Sequence, residues 1–381
     1  MTQPVLVIGG GLSGAAAATH LARAGRETLL LEREAAPHDK VCGEFLSYEA
    51  RAYVSELGVD AEALGGALIG AVEVRRRLAR KRAPLAFTAV GLSRRALDEA
   101  VLKRAAEAGA EIRRGVRATE LERNGDYWSV RTNSGPPFTA RHVFLATGKH
   151  DIRGWKRPAG SQPDLMGFKL HWRLAPEQAR ALDGQVELHL FGGGYAGLEM
   201  VEGERANLCL VVRKAVFSTW GGGWDGLLSH LLDACPSLEE RLEAARPLAP
   251  RPQAIGAIPY GYVRDRSDGL WRLGDQAAVI PSFTGEGMSM ALHSARLATR
   301  FFLEGREPDD FQRRLARDVR CQVRTAMAAS RLLVVPAAQA VIARSLNRPM
   351  MQWIVSRTRL TANAQAICAE EPWARRRPAA R

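Results

Sequence analysis

Three groups of residues have types and spacing suited to chemistry. The first is Gly9-Gly10-Gly11-Leu12-Ser13-Gly14, answered by Glu32 at the end of the next apolar run. Glycines there allow a tight turn, close approach to a pyrophosphate, and packing of a helix on a strand. The free N–H groups of that helix attract phosphate oxygens, and a carboxylate at Glu32 suits a ribose diol. The second group is Gly274-Asp275 with Pro281 to Met288. Asp275 can hydrogen-bond a sugar or ribityl hydroxyl, and Gly285-Glu286-Gly287-Met288 aims a second helix N-terminus at an anion. NAD would need only the first group, so the pair suits one long ADP-containing cofactor. The third group is less specific: Cys42-Gly43, Arg94 and His171. Cys42-Gly43 reads either as a helix start with a buried thiol or as a loop crossing the cofactor. Arg94 either reaches a phosphate or sits in solvent. His171 is either structural or an acid/base.

The elements around these residues follow from periodicity. Pro4 to Ile8 and Thr28 to Glu32 read as buried parallel strands flanking an alanine-rich helix. Residues 67–90 read as a hairpin around the basic turn Arg76 to Arg82. Ser93 is placed to cap a helix that Gly109 closes. Short strands fill 110–146 and end at Thr147-Gly148, where backbone can touch a dinucleotide. Residues 165–215 are spaced like an antiparallel sheet with a turn at Gly192 to Gly194, followed by a helix over Leu227 to Leu242. Beyond Arg306 the pattern is helical to Leu360, and Arg375-Arg376-Arg377-Pro378 reads as a basic tail.

Composition bounds the class. With 46% hydrophobic and 25% charged residues over 381 positions, a full core and two interwoven domains are expected. Five cysteines without CxxC or Cys/His spacing argue against a metal site or disulfide framework and for a reducing cytoplasm. No signal peptide is expected before the first motif, and no apolar run reaches the roughly 18 residues of a spanning helix. The net charge of +13 is nearly all arginine. It reads as compositional bias, or as attraction to anionic membranes, acidic carrier proteins or anionic substrates. No nucleic-acid recognition motif accompanies it, so no nucleic acid is expected as a partner. Trp353 with Met350-Met351 marks either a core-packed helix or a lipid-facing one.

In their order along residues 1–310, these motifs resemble the FAD-dependent geranylgeranyl reductases and their relatives, the para-hydroxybenzoate-hydroxylase-type monooxygenases and flavin halogenases. The resemblance rests on Val7 to Gly14, Glu32-Arg33, Lys40-Val41-Cys42-Gly43, Arg94 to Asp98, Ala146-Thr147-Gly148, Gly274-Asp275 and Pro281 to Met288. It implies an α/β, overall α+β, fold: a Rossmann-like FAD-binding domain (1–66, 91–164, 251–310), an antiparallel-sheet substrate domain (67–90, 165–250) and a helical C-terminal region (311–381). By position, Gly9, Gly11, Ser13 and Gly14 would hold the pyrophosphate, with Arg94 approaching it. Glu32 and Arg33 would meet the adenosine, Gly148 the dinucleotide, and Gly274-Asp275 the ribityl chain. Gly285, Gly287 and Met288 would face the flavin N1–C2=O edge, and Cys42-Gly43 would lie near the isoalloxazine.

Departures from the resemblance narrow the chemistry. Thr147-Gly148 replaces the Asp-Gly that hydroxylases link to NAD(P)H, leaving NAD(P)H as one candidate reductant. The halogenase Trp-x-Trp-x-Ile-Pro motif is not apparent, and Gly194 to Leu198 lacks the tryptophan of the reductases' substrate strand. The expected function is oxidation or C=C reduction of a hydrophobic small molecule such as an isoprenoid, polyketide or aromatic lipid. A tailoring enzyme or halogenase on a carrier-tethered substrate, and an electron-relay flavoprotein, are the alternatives. Phe168, Trp172, Tyr195 and Met200 are expected to line the substrate pocket, with Cys42 and His171 as catalytic candidates. Localisation is expected to be cytoplasmic or peripheral to the membrane.

Overall fold

A computed structural model describes residues 4–361, 364 and 366, so Cys368 and the basic tail at 375–378 lie outside the described residues. Five short parallel strands form the first sheet, in the order Trp271–Arg272, Val143–Leu145, Val5–Ile8, Thr28–Glu32, Glu111–Arg114. Such a sheet must be covered on both faces, and alternate residues of one strand show how. Val5 and Val7 join the core beneath helices Leu12–Arg23, Arg94–Glu107 and Gly287–Leu303. Leu6 and Ile8 instead pack with Leu121, Trp128 and Val130 of a three-stranded antiparallel sheet. The Arg94–Glu107 helix starts as its sequence predicts, with Ser93 Oγ accepting the Ala96 N–H at 3.2 Å.

The second sheet has nine strands and draws on residues remote in the chain. Its spine is Leu165–Arg173, Arg205–Arg213, Gly194–Val201 and Gly184–Phe191, all antiparallel neighbours. The last of these pairs in parallel with Ala67–Arg76, which brings in the hairpin strand Ala79–Gly91 and then Phe45–Leu46. One face of this sheet is apolar and packs on helices Trp224–Ala234 and Pro236–Leu242. These two helices replace the single helix expected over 227–242. The break falls at Cys235, where Pro236 supplies no N–H to the preceding turn.

Three helices close the described chain: Pro308–Leu333, Pro336–Ser345 and Arg348–Arg357. The first two meet at a 106° bend. Gln339 anchors the second by donating to the carbonyls of Phe191, Gly194 and Leu333. Among the described residues, no single helix is long and apolar enough to cross a membrane.

Candidate functional site

A cleft of about 580 Å³ runs between the two sheets. At one end the glycines do what their spacing requires. Gly9 has φ +107, and a β-carbon on Gly14 would lie 1.8 Å from the Gly9 carbonyl oxygen. The first helix therefore lies against the strand, and its N-terminus, capped by no side chain, opens into the cleft at Gly11. Two cations face it: a β-carbon on Gly11 would lie 3.2 Å from Lys40 Nζ and 3.6 Å from an Arg94 nitrogen. Asp98 holds both, at 2.7 Å from Lys40 and 2.8 Å from Arg94. Burial would raise the Asp98 pKa, but Arg94 and Lys40 keep it below the usual carboxylate range. Glu32 accepts the Gly10 N–H at 2.6 Å and the Glu34 N–H at 2.9 Å, which fixes its carboxylate at the end of its strand. Arg33 lines the same end and reaches His150 at 3.1 Å.

The other end is joined to the first by packing. Gly274, at φ +55, sits so close to Ser13 that a β-carbon would lie 2.9 Å from its Oγ. Gln276 donates to the carbonyls of Gly148 and His150, tying the Asp275 turn to the Thr147-Gly148 loop. Gly285 takes φ +71 with Phe45 against it, and Gly287 and Met288 open a helix into the cleft. Ahead of Gly287 sits Glu286, fully buried and pushed up to about 8 by burial, with the Ser289 and Ser47 hydroxyls near it bonded to each other at 2.7 Å. A cradle with two helix N-termini, two cations at the first and a carboxylate at each end fits an extended dinucleotide such as FAD.

The sheet above the cleft divides its residues by parity, because side chains alternate along a strand. Phe168 and Trp172 belong to the core on the far face, and Met200 packs against that core. None of the three lines the cleft. Tyr195 is on the near face, yet its hydroxyl bonds Ser282 at 3.0 Å and steadies the loop before Gly285 rather than lining the cleft. The near face is instead occupied by Gly167, Lys169, His171, Glu199, Asn207 and Cys209. Gly167 and Cys209 line the cleft, and the charged members sit beneath the 39–45 loop.

There Glu44, fully buried at φ +59, binds Lys169, His171 Nε2 at 2.7 Å and the Arg94 N–H at 2.7 Å. Burial opposes ionisation, but His171 and Lys169 hold Glu44 below the usual carboxylate range. Asp39 lies 3.8 Å from Lys169 and 3.9 Å from His171. Asp39, Glu44 and His171 have the grouping of metal ligands, but the Lys169 ammonium supplies the positive charge among them. Next to them, Asn207 donates to Glu199 at 2.8 Å and to the Cys42 carbonyl at 3.2 Å. Burial pushes the Glu199 carboxyl well above the usual carboxylate range, which favours its protonated form.

All fifteen residues expected at the cofactor line this cleft except Gly14, which packs behind it. Cys42 lines it, whereas His171 does not. Sequence reasoning missed Lys169, Glu199, Asn207 and Gln276. The strand phase could have found the first three, since they share the near face. It also missed an apolar wall of Val41, Val211, Ile255, Ile258, Val279 and Ile280 beyond the cradle.

Residues 2–137 match the model of an FAD binding domain. Over 336 residues the chain is 28% identical to digeranylgeranylglycerophospholipid reductase 2 of Methanopyrus kandleri, covering 81% of this chain and 79% of that one. It is 26% identical to menaquinone reductase of Mycobacterium tuberculosis, covering 77% and 75%. Conditioned medium factor receptor 1 of Dictyostelium discoideum is 25% identical over 77% of this chain, which spans 62% of that relative's length. The fold is similar to that of the flavin-dependent brominase Bmp2, with TM-score 0.74, 16% identity and 97% of each chain covered. FAD is the cofactor of this chain.

Proposed function

We propose that this FAD-dependent oxidoreductase saturates C=C bonds of an isoprenoid-type lipid. The observation that carries this reading is the apolar wall next to the cradle, from Val41 and Val211 to Ile255, Ile258 and Ile280, with the Cys42 thiol at its edge. A hydrocarbon chain gains affinity from such a wall at about 25 cal/mol per Å² buried. Two relatives are reductases, one named for a geranylgeranyl lipid and one for menaquinone.

Saturating a C=C bond takes a hydride at one carbon and a proton at the other, and FAD, when bound and reduced, would supply the hydride. Protein groups must orient the chain, exclude water and deliver the proton. Cys42 Sγ is the group assigned to deliver that proton: it accepts the Glu44 N–H at 3.4 Å and lies beside Arg94. Cys209, pushed up to about 12 by burial, keeps its proton and acts as packing. His171 is committed to Glu44.

The test incubates dithionite-reduced holoenzyme with geranylgeranyl lipids and menaquinone, anaerobically and in a parallel arm with oxygen, read by mass spectrometry. A gain of two hydrogens per bond, lost in Cys42→Ala at unchanged FAD content, supports the reading. Oxygen-dependent hydroxylation, or halide incorporation with chloride or bromide present, overturns it.

A further inference from the structure

We propose that the outer surface of the three C-terminal helices docks on an anionic lipid bilayer, whichever reaction the cleft performs. From 319 to 360 the chain has seven arginines and neither aspartate nor glutamate. Arg331, Arg344, Arg348 and Arg357 are exposed and have no carboxylate partner among the described residues. Between them stand exposed apolar side chains: Leu332, Val335, Val341, Met350 and Trp353.

Helix geometry puts the two kinds on the same surface. Met350, Trp353 and Arg357 are spaced i, i+3, i+7, and the Arg357 guanidinium lies 5.9 Å from the Trp353 ring centre. Met351, one position on, is buried with Ala83 and Leu346. On the preceding helix Val341 and Arg344 face outward while Gln339 and Ala343 are buried. Leu332 and Val335 stand at the 106° bend. Gln339 anchors this platform to the second sheet, and Arg359 ties it to Glu49 at 2.8 Å and to Glu286, the residue before Gly287, at 3.5 Å.

Arginines interleaved with tryptophan, methionine and branched aliphatics suit the headgroup–acyl boundary, where cations meet lipid phosphate and apolar tips enter the chains. A soluble acidic protein would satisfy the arginines and leave the apolar tips unanswered. A second copy of the chain would bring two acid-free arginine surfaces together.

The experiment uses FAD-loaded full-length protein with phosphatidylcholine vesicles, with and without phosphatidylglycerol, at low and high salt. Expected is co-sedimentation with the phosphatidylglycerol vesicles that high salt reverses. Brominated acyl chains should quench tryptophan emission, and Trp353→Phe should remove that quenching. Reversing two exposed arginines, Arg344→Glu with Arg348→Glu, should lower partitioning by more than about 25-fold, since losing the two positive charges alone removes about fivefold each and the new carboxylates add repulsion. Arg344→Gln with Arg348→Gln replaces it should the reversed variant lose FAD. Equal binding to both vesicles, binding indifferent to these substitutions, or capture only of an added acidic carrier protein overturns the proposal. Binding is read without turnover, so it stands or falls apart from the reductase reading.

Discussion

His171 Nε2 lies 2.7 Å from Glu44 Oε2, on the carboxylate that Lys169 also holds, beneath the loop carrying Cys42. Glu44 takes a left-handed backbone that non-glycine residues rarely adopt, so this ion cluster holds the loop rather than local preference. Lys169→Met would leave Glu44 and Asp39 without their ammonium and should cost about 3–5 kcal/mol of stability. Adding Glu44→Gln should restore part of it, because the uncompensated charge disappears. Urea melts of the single and double variants check this. A Lys169→Met protein as stable as its parent would falsify the clamp.

Gly14→Ala would drive a methyl into the Gly9 carbonyl, backbone against backbone. The first helix must move off the strand, costing about 1–3 kcal/mol and spoiling the N–H cradle. The expected outcome is protein that purifies with far less flavin, read from the ratio of visible to ultraviolet absorbance. Full flavin occupancy in this variant would show that the cradle tolerates the displacement.

Glu286 gives stability a pH slope of known sign. Its folded pKa of about 8 stands above the ordinary carboxylate value of 4.5, with burial as cause and Arg359 as the nearby opposing cation. Between these values the unfolded chain releases a proton that the folded chain keeps. Stability is therefore greatest below about pH 4.5 as far as this group is concerned, and falls by a few kcal/mol as pH rises to 8. Glu286→Gln should flatten that part of the profile, measured by denaturant melts from acid to mildly alkaline pH. An unchanged slope would assign it to another group.

Gly167 lets the apolar wall close tightly on its strand: a β-carbon there would press on Ile258 at 3.1 Å, Val41 at 3.2 Å and Ile255 at 3.3 Å. Gly167→Val should raise KM for the lipid while FAD content holds. Phe168→Leu, on the opposite face, should lower stability by about 1 kcal/mol and leave KM unchanged. Steady-state kinetics with both variants tests the assignment of faces, and the reverse pattern would invert it.

The parallel sheet and the cofactor cradle were legible in the sequence because each rests on local chemistry. An apolar run, glycines at fixed offsets and a terminal acid at Glu32 occupy one short segment, and Gly274-Asp275 with Gly285 to Met288 another. The near face of the second sheet was legible only through strand phase, not through residue type. Phe168 and Trp172 look like pocket residues by type, but strand phase sends them to the far core, and one residue of phase exchanges every side chain. Nor could Lys169 be tied to Glu44, 125 positions away, since only the tertiary fold brings them together.

Ser13 and Gly274 touch although 261 positions separate them, and a ligand lying across both would fasten the chain's early and late segments together. Its binding energy is then added to the stability of the whole, and grows with the logarithm of free cofactor. Flavin supply thus becomes a control on how long the protein survives proteolysis, separate from its control over turnover.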